Sequence, residues 1–271
     1  MRRETFHTTG ALTLDLRIPS GEITLESIEG EETVIELDAS GGNSEVFNLI
    51  DDARIELRQR GDGNEVLVDV PRRRRGLSVV FDRADYRLRV TAPHGADVQI
   101  STASADVNGR GRFGGLKADV ASGDLRFAEL AGRVDVKSAS GDVDFERIGD
   151  DASITTASGD VTVGQVAGSA TMRSASGDVV VDEAESSVTV QTASGDQRLG
   201  SVRSGRVVMQ SASGDQSVGI RRGSRVHLDV RTMSGDTRSE LEIEDAPPIG
   251  DGPEIDLRAT SMSGDIRILR A

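Results

Sequence analysis

The tripeptide Ser-Gly-Asp recurs through the second half of the chain at a nearly fixed step, and this constrains the fold more than any other feature. Copies open at Ser122, Ser140, Ser158, Ser176, Ser194 and Ser213, with four steps of 18 residues and then one of 19. A degenerate copy, Ser104-Ala105-Asp106, lies one 18-residue step earlier, and two more open at Ser234 and Ser263 after steps of 21 and 29. A period in this range marks stacked repeats, each burying its apolar face against its neighbours. It points to a scaffold, and no residue constellation in the chain points as strongly to an active site.

Units aligned from Ser140, Ser158 and Ser176 share one internal pattern. Alternate positions after the tripeptide are apolar: Val143 and Phe145, Val161 and Val163, Val179 and Val181. Such alternation predicts a half-buried strand. A second alternating run follows, with Ala152 and Ile154, Ala170 and Met172, Val188 and Val190, and its next inward position is hydroxylic: Thr156, Ser174, Thr192. Each unit therefore holds two short strands and two turns. Glycine at the turn accommodates positive φ, and the flanking Ser and Asp can bond the local backbone. A constant step favours coils over hairpins, because identical columns stack only when every coil has the same length. Successive coils would rise by ~4.8 Å. The sequence thus predicts an all-β parallel β-solenoid of about 18 residues per coil, with an antiparallel sandwich as the second choice.

The same pattern occurs near the start, where Ser20-Gly21-Glu22-Ile23-Thr24-Leu25 matches Ser158-Gly159-Asp160-Val161-Thr162-Val163. An insertion then runs from about Gly42 to Arg75, with a short helix predicted around Val46–Ala53 and strands at Ile55–Arg58 and Glu65–Val70. A strand at Tyr86–Val90 leads back to the coils. Near the far end, Pro247, Pro248, Gly250, Gly252 and Pro253 form a loop between strands expected at Glu240–Ile243 and Glu254–Arg258. No linker divides the chain, so a single domain over residues 1–271 is expected: an N-terminal coil with insertion (1–100), regular repeats (101–236) and an irregular C-terminal cap (237–271). A cap is needed because a solenoid end exposes unpaired strand edges.

Composition narrows the function classes. Aromatic residues are only 3% of the chain, with one tyrosine and no tryptophan, which suits a narrow core of aliphatic side chains. The net charge of −14 argues against a nucleic-acid partner and equally serves solubility. Zero cysteines exclude disulfides and thiol chemistry. The opening residues, Met1 to His7, lack the apolar stretch of a signal peptide, and no apolar run approaches the ~20 residues of a membrane span. The expected location is cytoplasmic, with association at the cell surface by a non-classical route as the alternative.

The "SASGDV-x-V" phrase, the opening "LTLDLRIPSGEITL" and the closing "LDVRTMSGDTRSELE" and "IDLRATSMSGDIRI" together resemble the bacterial β-strand-repeat family labelled "putative adhesin", a domain of unknown function, most closely in its actinobacterial forms. The resemblance covers nearly the whole chain. It implies a right-handed β-solenoid and brings no catalytic residues with it.

Among candidate sites, the sharpest is the aspartate column Asp124, Asp142, Asp160, Asp178, Asp196 and Asp215. Carboxylates ~4.8 Å apart would repel by ~0.9 kcal/mol per pair in water and more at lower dielectric. Bound calcium could relieve this, as could hydrogen bonds from turn amides or serine hydroxyls. Calcium-binding β-rolls place aspartate turns on both sides of each coil, whereas here only one side repeats Asp, so turn chemistry is the favoured reading. Gly109-Arg110-Gly111-Arg112-Phe113-Gly114 matches a dinucleotide fingerprint in form, yet an alternating strand pattern follows it where the phosphate site needs a helix. The block Pro71-Arg72-Arg73-Arg74-Arg75 could grip an anionic surface, and a solvated loop is the simpler reading. His7, His94 and His227 lack metal-ligand spacing. No nucleophile elbow or Walker sequence occurs, and a polysaccharide lyase would lack the aromatics of a sugar platform.

The expected function is a non-enzymatic scaffold without a cofactor, binding an unidentified protein or envelope partner or a second copy through its solenoid faces. The rival is a calcium-dependent surface adhesin of the cell envelope.

Overall fold

The computed structural model describes residues 1–40, 50–61, 63–71, 85–241 and 252–271. The block Arg72–Arg75, most of the helix expected around Val46–Ala53, and Pro247, Pro248 and Gly250 lie outside them. The chain divides into two compact units, one of Met1–Gly132 with Val136–Gly141 and one of Arg133–Asp135 with Asp142–Ala271.

The first unit contains β1 (Arg2–His7), β2 (Leu12–Ile28), β3 (Glu32–Ser40), β4 (Arg54–Arg60), β5 (Gly63–Asp69), β6 (Asp85–Pro93), β7 (Asp97–Phe113), β8 (Leu116–Ser122) and β9 (Leu125–Leu130). Here β2 and β7 are whole coils lying parallel, with Ser20↔Ser104 and Ile23↔Val107 in register. The N-terminal copy read from the sequence is therefore a true coil. Its other edge pairs with β5 and β6, which act together as one coil, Leu14 facing Val66 and Ile23 facing Leu88. Beyond β7 the 18-residue step begins, with Val98↔Leu116 on β8 and Val107↔Leu125 on β9.

Among the described residues, three pairings in this unit are antiparallel, unlike the all-parallel expectation: β4 on β5, β3 on β6 and β1 on β3. A further parallel coil would need a crossover, whereas an antiparallel neighbour needs only a tight turn. The β4–β5 hairpin shows this, since Arg60 faces Gly63 and Gly61 adopts φ +62°. These strands cover parallel edges that would otherwise stay open. The interior is aliphatic, with Leu14, Leu16, Ile23 and Leu25 fully buried, and Phe113 meets Phe127 edge to face with ring centres 5.8 Å apart.

After β10 (Val134–Ser140), the second unit contains β11 (Val143–Ile148), β12 (Ala152–Ser158), β13 (Val161–Val166), β14 (Ala170–Ser176), β15 (Val179–Ala184), β16 (Val188–Ser194), β17 (Gln197–Val202), β18 (Gly205–Ser213), β19 (Gln216–Ile220), β20 (Arg225–Ser234), β21 (Thr237–Ser239), β22 (Glu254–Ser263) and β23 (Ile266–Arg270). Odd strands stack on odd and even on even up to β19, all parallel. Val143, Val161 and Val179 face one another in sequence, as do Ile154, Met172 and Val190. All are essentially excluded from water, and that column-on-column burial is the main driving force of the stack. The 19-residue step leaves β16 and β18 in unbroken register and is taken back by a register shift between Leu199 and Val202 where β17 meets β19. Ala184 aligns with Val202 and Val188 with Val207, so the extra residue falls in the turn at Gly205, φ +96°.

Stacking order and chain order part company at the C-terminal end. Coil β22–β23 lies between two others: β22 pairs with β18 (Val207↔Leu257) and with β20 (Leu228↔Leu257). The expected irregular tail thus supplies, over Glu254–Arg270, a regular coil with Ile255, Leu257 and Ile266 fully buried, while β20–β21 takes the outer layer. This explains the steps of 21 and 29 residues, because the chain passes over one layer and then returns to fill it. Of the strand expected at Glu240–Ile243, Glu242 and Ile243 lie outside the described residues, while Glu240 and Leu241 follow β21 at Thr237–Ser239 without being part of a strand. No described helix is long and apolar enough to cross a membrane.

Candidate functional site

The aspartate column is real, and its geometry is that of a hydrogen-bonded staircase. Each Ser-Gly-Asp closes a bend between two strands, and the glycine takes positive φ, +120° at Gly159 and +123° at Gly177. A β-carbon at Gly177 would run into the carbonyl of Gly159 in the coil beneath. Glycine is therefore required twice over, by φ and by the closeness of the stacked turns.

Beside these glycines, the Asp carboxylate of one turn accepts the backbone N–H of the aspartate in the next turn of the stack. Asp142 Oδ1 accepts from Asp160 at 2.9 Å, Asp160 from Asp178 at 2.8 Å, Asp178 from Asp196 at 2.7 Å and Asp196 from Asp215 at 2.8 Å. The staircase continues out of chain order, Asp215 accepting from Asp265 and Asp265 from Asp236, both at 2.9 Å. In the first unit Asp106 accepts from Asp124 at 3.0 Å. Main-chain carbonyls reinforce it: Val143 donates to Asp160 O and Val161 to Asp178 O, both at 2.9 Å. A carboxylate bonded to an amide is a charge-assisted contact, which offsets the repulsion along the column. The Asp265 carboxyl is held below the ordinary aspartate value by the Asp236 N–H foremost, which outweighs the opposing desolvation, with further help from Arg267 and Arg238. Inside the bend, the hydroxylic column closes the turn, Thr156 Oγ1 donating to Ser158 O at 3.1 Å and Ser211 Oγ to Ser213 O at 2.9 Å.

The opposite corner carries further coil-to-coil bonds of the same kind, which the sequence reading missed. Asp97 Oδ1 accepts from Gly115 N at 2.6 Å, Asp151 Oδ1 from Ser169 N at 2.8 Å, and Ser187 Oγ from Arg206 N at 3.0 Å. The signal was present as a column of Asp151, Ser169 and Ser187 at 18-residue steps, but mixed residue types hid it. Short polar side chains thus join coils at both corners, continuously from Asp142 to Asp236 along the aspartate column and at the three places named on the other. Among the described residues, no group of three or more His, Cys, Asp or Glu side chains converges as a metal site would.

The remaining candidates are dispersed. Gly109 lies within β7 against the Phe127 ring, leaving no room for a β-carbon, and a bulge falls between Gly109 and Arg112. Strand packing accounts for that glycine run. His94 Nδ1 contacts Ser27 Oγ at 2.8 Å, His7 reaches Glu31 at 3.6 Å, and His227 is exposed on β20. A cleft lined by Arg17, Pro19, Asp69 and Ser101 has its cation engaged already, since Arg17 grips Asp15 through two bonds of 2.9 and 2.6 Å. That pairing raises the arginine's already high pKa further, through the Asp15 hydrogen bond and charge.

What the site provides is repetition. On the outer face of β14, β16 and β18, Arg173 Nε donates to Gln191 Oε1 at 3.0 Å, and Gln191 Nε2 donates to Gln210 Oε1 at 2.8 Å. Fixed rows of outward side chains on an aliphatic stack, with corners locked by aspartate and serine, define a right-handed β-solenoid repeat protein. The chain belongs to the Toastrack DUF4097 family, whose profile matches residues 6–164. It is similar in fold to a crystal structure described as a "putative adhesin" from Parabacteroides distasonis, with 10% identity, 98% of this chain and 96% of that one covered, and a TM-score of 0.50. A "putative adhesin" from Bacteroides fragilis aligns at 13% identity over 99% of this chain and 96% of its own, with a TM-score of 0.47. No functionally curated protein matches the sequence significantly.

Proposed function

We propose that this chain is a non-enzymatic scaffold whose outward ladders bind a protein or envelope partner. The observation that carries the reading is the row Arg173–Gln191–Gln210, three side chains on successive coils joined by hydrogen bonds and presented to solvent. Such a row is held in place before any partner arrives, which lowers the ordering cost of binding. An adhesive role, as in the descriptions of the structural neighbours, would be the same scaffold function exercised at a cell envelope. The chain's location is proposed to be cytoplasmic, with the surface as the alternative.

Cross-linked capture from the native cell, combined with fractionation, tests this. Wild type should recover a defined partner that the double variant Gln191→Lys/Gln210→Lys loses, while both proteins unfold at the same denaturant concentration. Identical recovery by both, or turnover of an acidic glycan by the purified protein, would refute the reading.

A further inference from the structure

The outer layer of the second unit is unlike every layer beneath it. Coil β20–β21 pairs on one side with β22–β23, and among the described residues no strand pairs with its other edge. Inward residues Val226, Leu228 and Val230 remain half-buried, whereas Ile255, Leu257 and Ala259, their in-register neighbours on β22, are fully buried. Met233 is 83% exposed. The Arg225 N–H donates to Pro253 O at 2.9 Å, so the odd-numbered residues of β20 direct their backbone groups to β22. Strand alternation then turns the N–H and C=O of Val226, Leu228 and Val230 outward to the open edge. An edge of this kind is a template for strand addition.

The sequence of β20 selects what it pairs with. We infer that β20 pairs antiparallel with β20 of a second copy of this chain about a two-fold axis at Val230, giving an end-to-end dimer. In that register Val230 faces its own copy and Leu228 faces Thr232, so the outward-pointing amides and carbonyls meet as hydrogen-bonded pairs. Asp229 then faces Arg231 of the second copy, and the symmetry gives this ion pair twice. These two occupy a non-hydrogen-bonded position, where facing side chains lie closest. Three neighbouring registers are disfavoured by charge, and an axis at Thr232 would forgo the Asp229–Arg231 pair. An axis at Asp229 sets aspartate against aspartate, one at Arg231 sets arginine against arginine, and one at Leu228 sets Arg225 against Arg231. Asp229 already lies 3.1 Å from both Arg231 and Arg258 of its own chain, so its carboxylate is oriented toward this cationic row. The two-fold contact would cover the half-buried aliphatic residues of both ends at once.

The proposal goes beyond the scaffold reading, and its test is separate from partner capture. Sedimentation equilibrium of the full chain over a concentration series should show a dimer. Val230→Pro removes the central edge N–H without touching the bonds to β22, and should give a monomer. Arg231→Asp and Asp229→Arg should each weaken dimerisation about tenfold or more by placing like charges opposite. An equimolar mixture of those two variants should restore the dimer, because each then faces the opposite charge. A monomeric wild type at all concentrations, or a dimer indifferent to both reversals, would overturn the proposal. So would failure of the mixture to reassociate.

Discussion

Gly177→Ala separates the two demands that the stacked turns place on glycine. Gly177 has φ +123°, and an added β-carbon would collide with the Gly159 carbonyl one coil below. Gly223, in the same unit, has φ +83° but nothing within 4 Å of the corresponding position. Gly223→Ala therefore carries only the conformational cost, about 1 kcal/mol or somewhat more. Gly177→Ala carries that cost plus overpacking against a backbone that cannot rotate away, a further about 1–3 kcal/mol. The stack would have to open locally by several tenths of an ångström, which also stretches the bond of 2.8 Å from the Asp178 N–H to Asp160. With no tryptophan and one tyrosine, far-UV circular dichroism is the suitable probe of urea unfolding. Parallel transitions with equal m-values would license comparison of the midpoints. If Gly177→Ala proves no more destabilising than Gly223→Ala, coil contact at the turn is not what excludes a side chain there.

Two further outcomes follow from the aspartate staircase. Asp160→Asn keeps an acceptor for the Asp178 N–H and removes charge from the column, so stability at low salt should hold or rise slightly, whereas Asp160→Ala should lose about 1 kcal/mol. Repeating both measurements with chelator and with millimolar calcium tests the rival reading, in which a calcium-dependent loss in the asparagine variant is required. For Asp265, the folded-state pKa lies below the unfolded one, so its contribution is present above the unfolded value and disappears as pH falls through the folded value. Asp265→Asn should accordingly flatten the acid limb of the stability–pH curve relative to wild type, and an unchanged limb would show that the carboxylate is not linked to folding.

The resemblance stated from the repeat phrases named the family correctly, and the coil architecture was legible because one column repeats without change of type. Val143, Val161 and Val179 align in sequence and in space for the same reason, a coil of constant length. Part of the site was legible too, since the turn aspartates were read as bonded to turn amides. What stayed hidden was which amide. An aspartate can reach its own turn or the turn one layer away, and only the stack shows that it bonds the neighbour's N–H. The corner with Asp151, Ser169 and Ser187 escaped notice because a carboxylate and a hydroxyl perform the same task there with different letters.

By itself, the sequence determined everything local and periodic: strand alternation, glycine turns, coil length and the register that follows from it. Tertiary structure decided which layer touches which. The 17-residue strand Leu12–Ile28 pairs with Asp97–Phe113, about 84 residues away, as readily as one coil pairs with the next, because a hydrogen-bonded ladder does not sense chain connectivity. For the same reason, Glu254–Arg270 enters between two earlier coils and leaves Arg225–Ser234 at the edge. Closing a loop of any moderate length costs a few kcal/mol that grows only logarithmically, while each buried aliphatic pair is gained locally. Layer order is therefore set by which faces fit, a property of the assembled stack that the repeat period cannot encode.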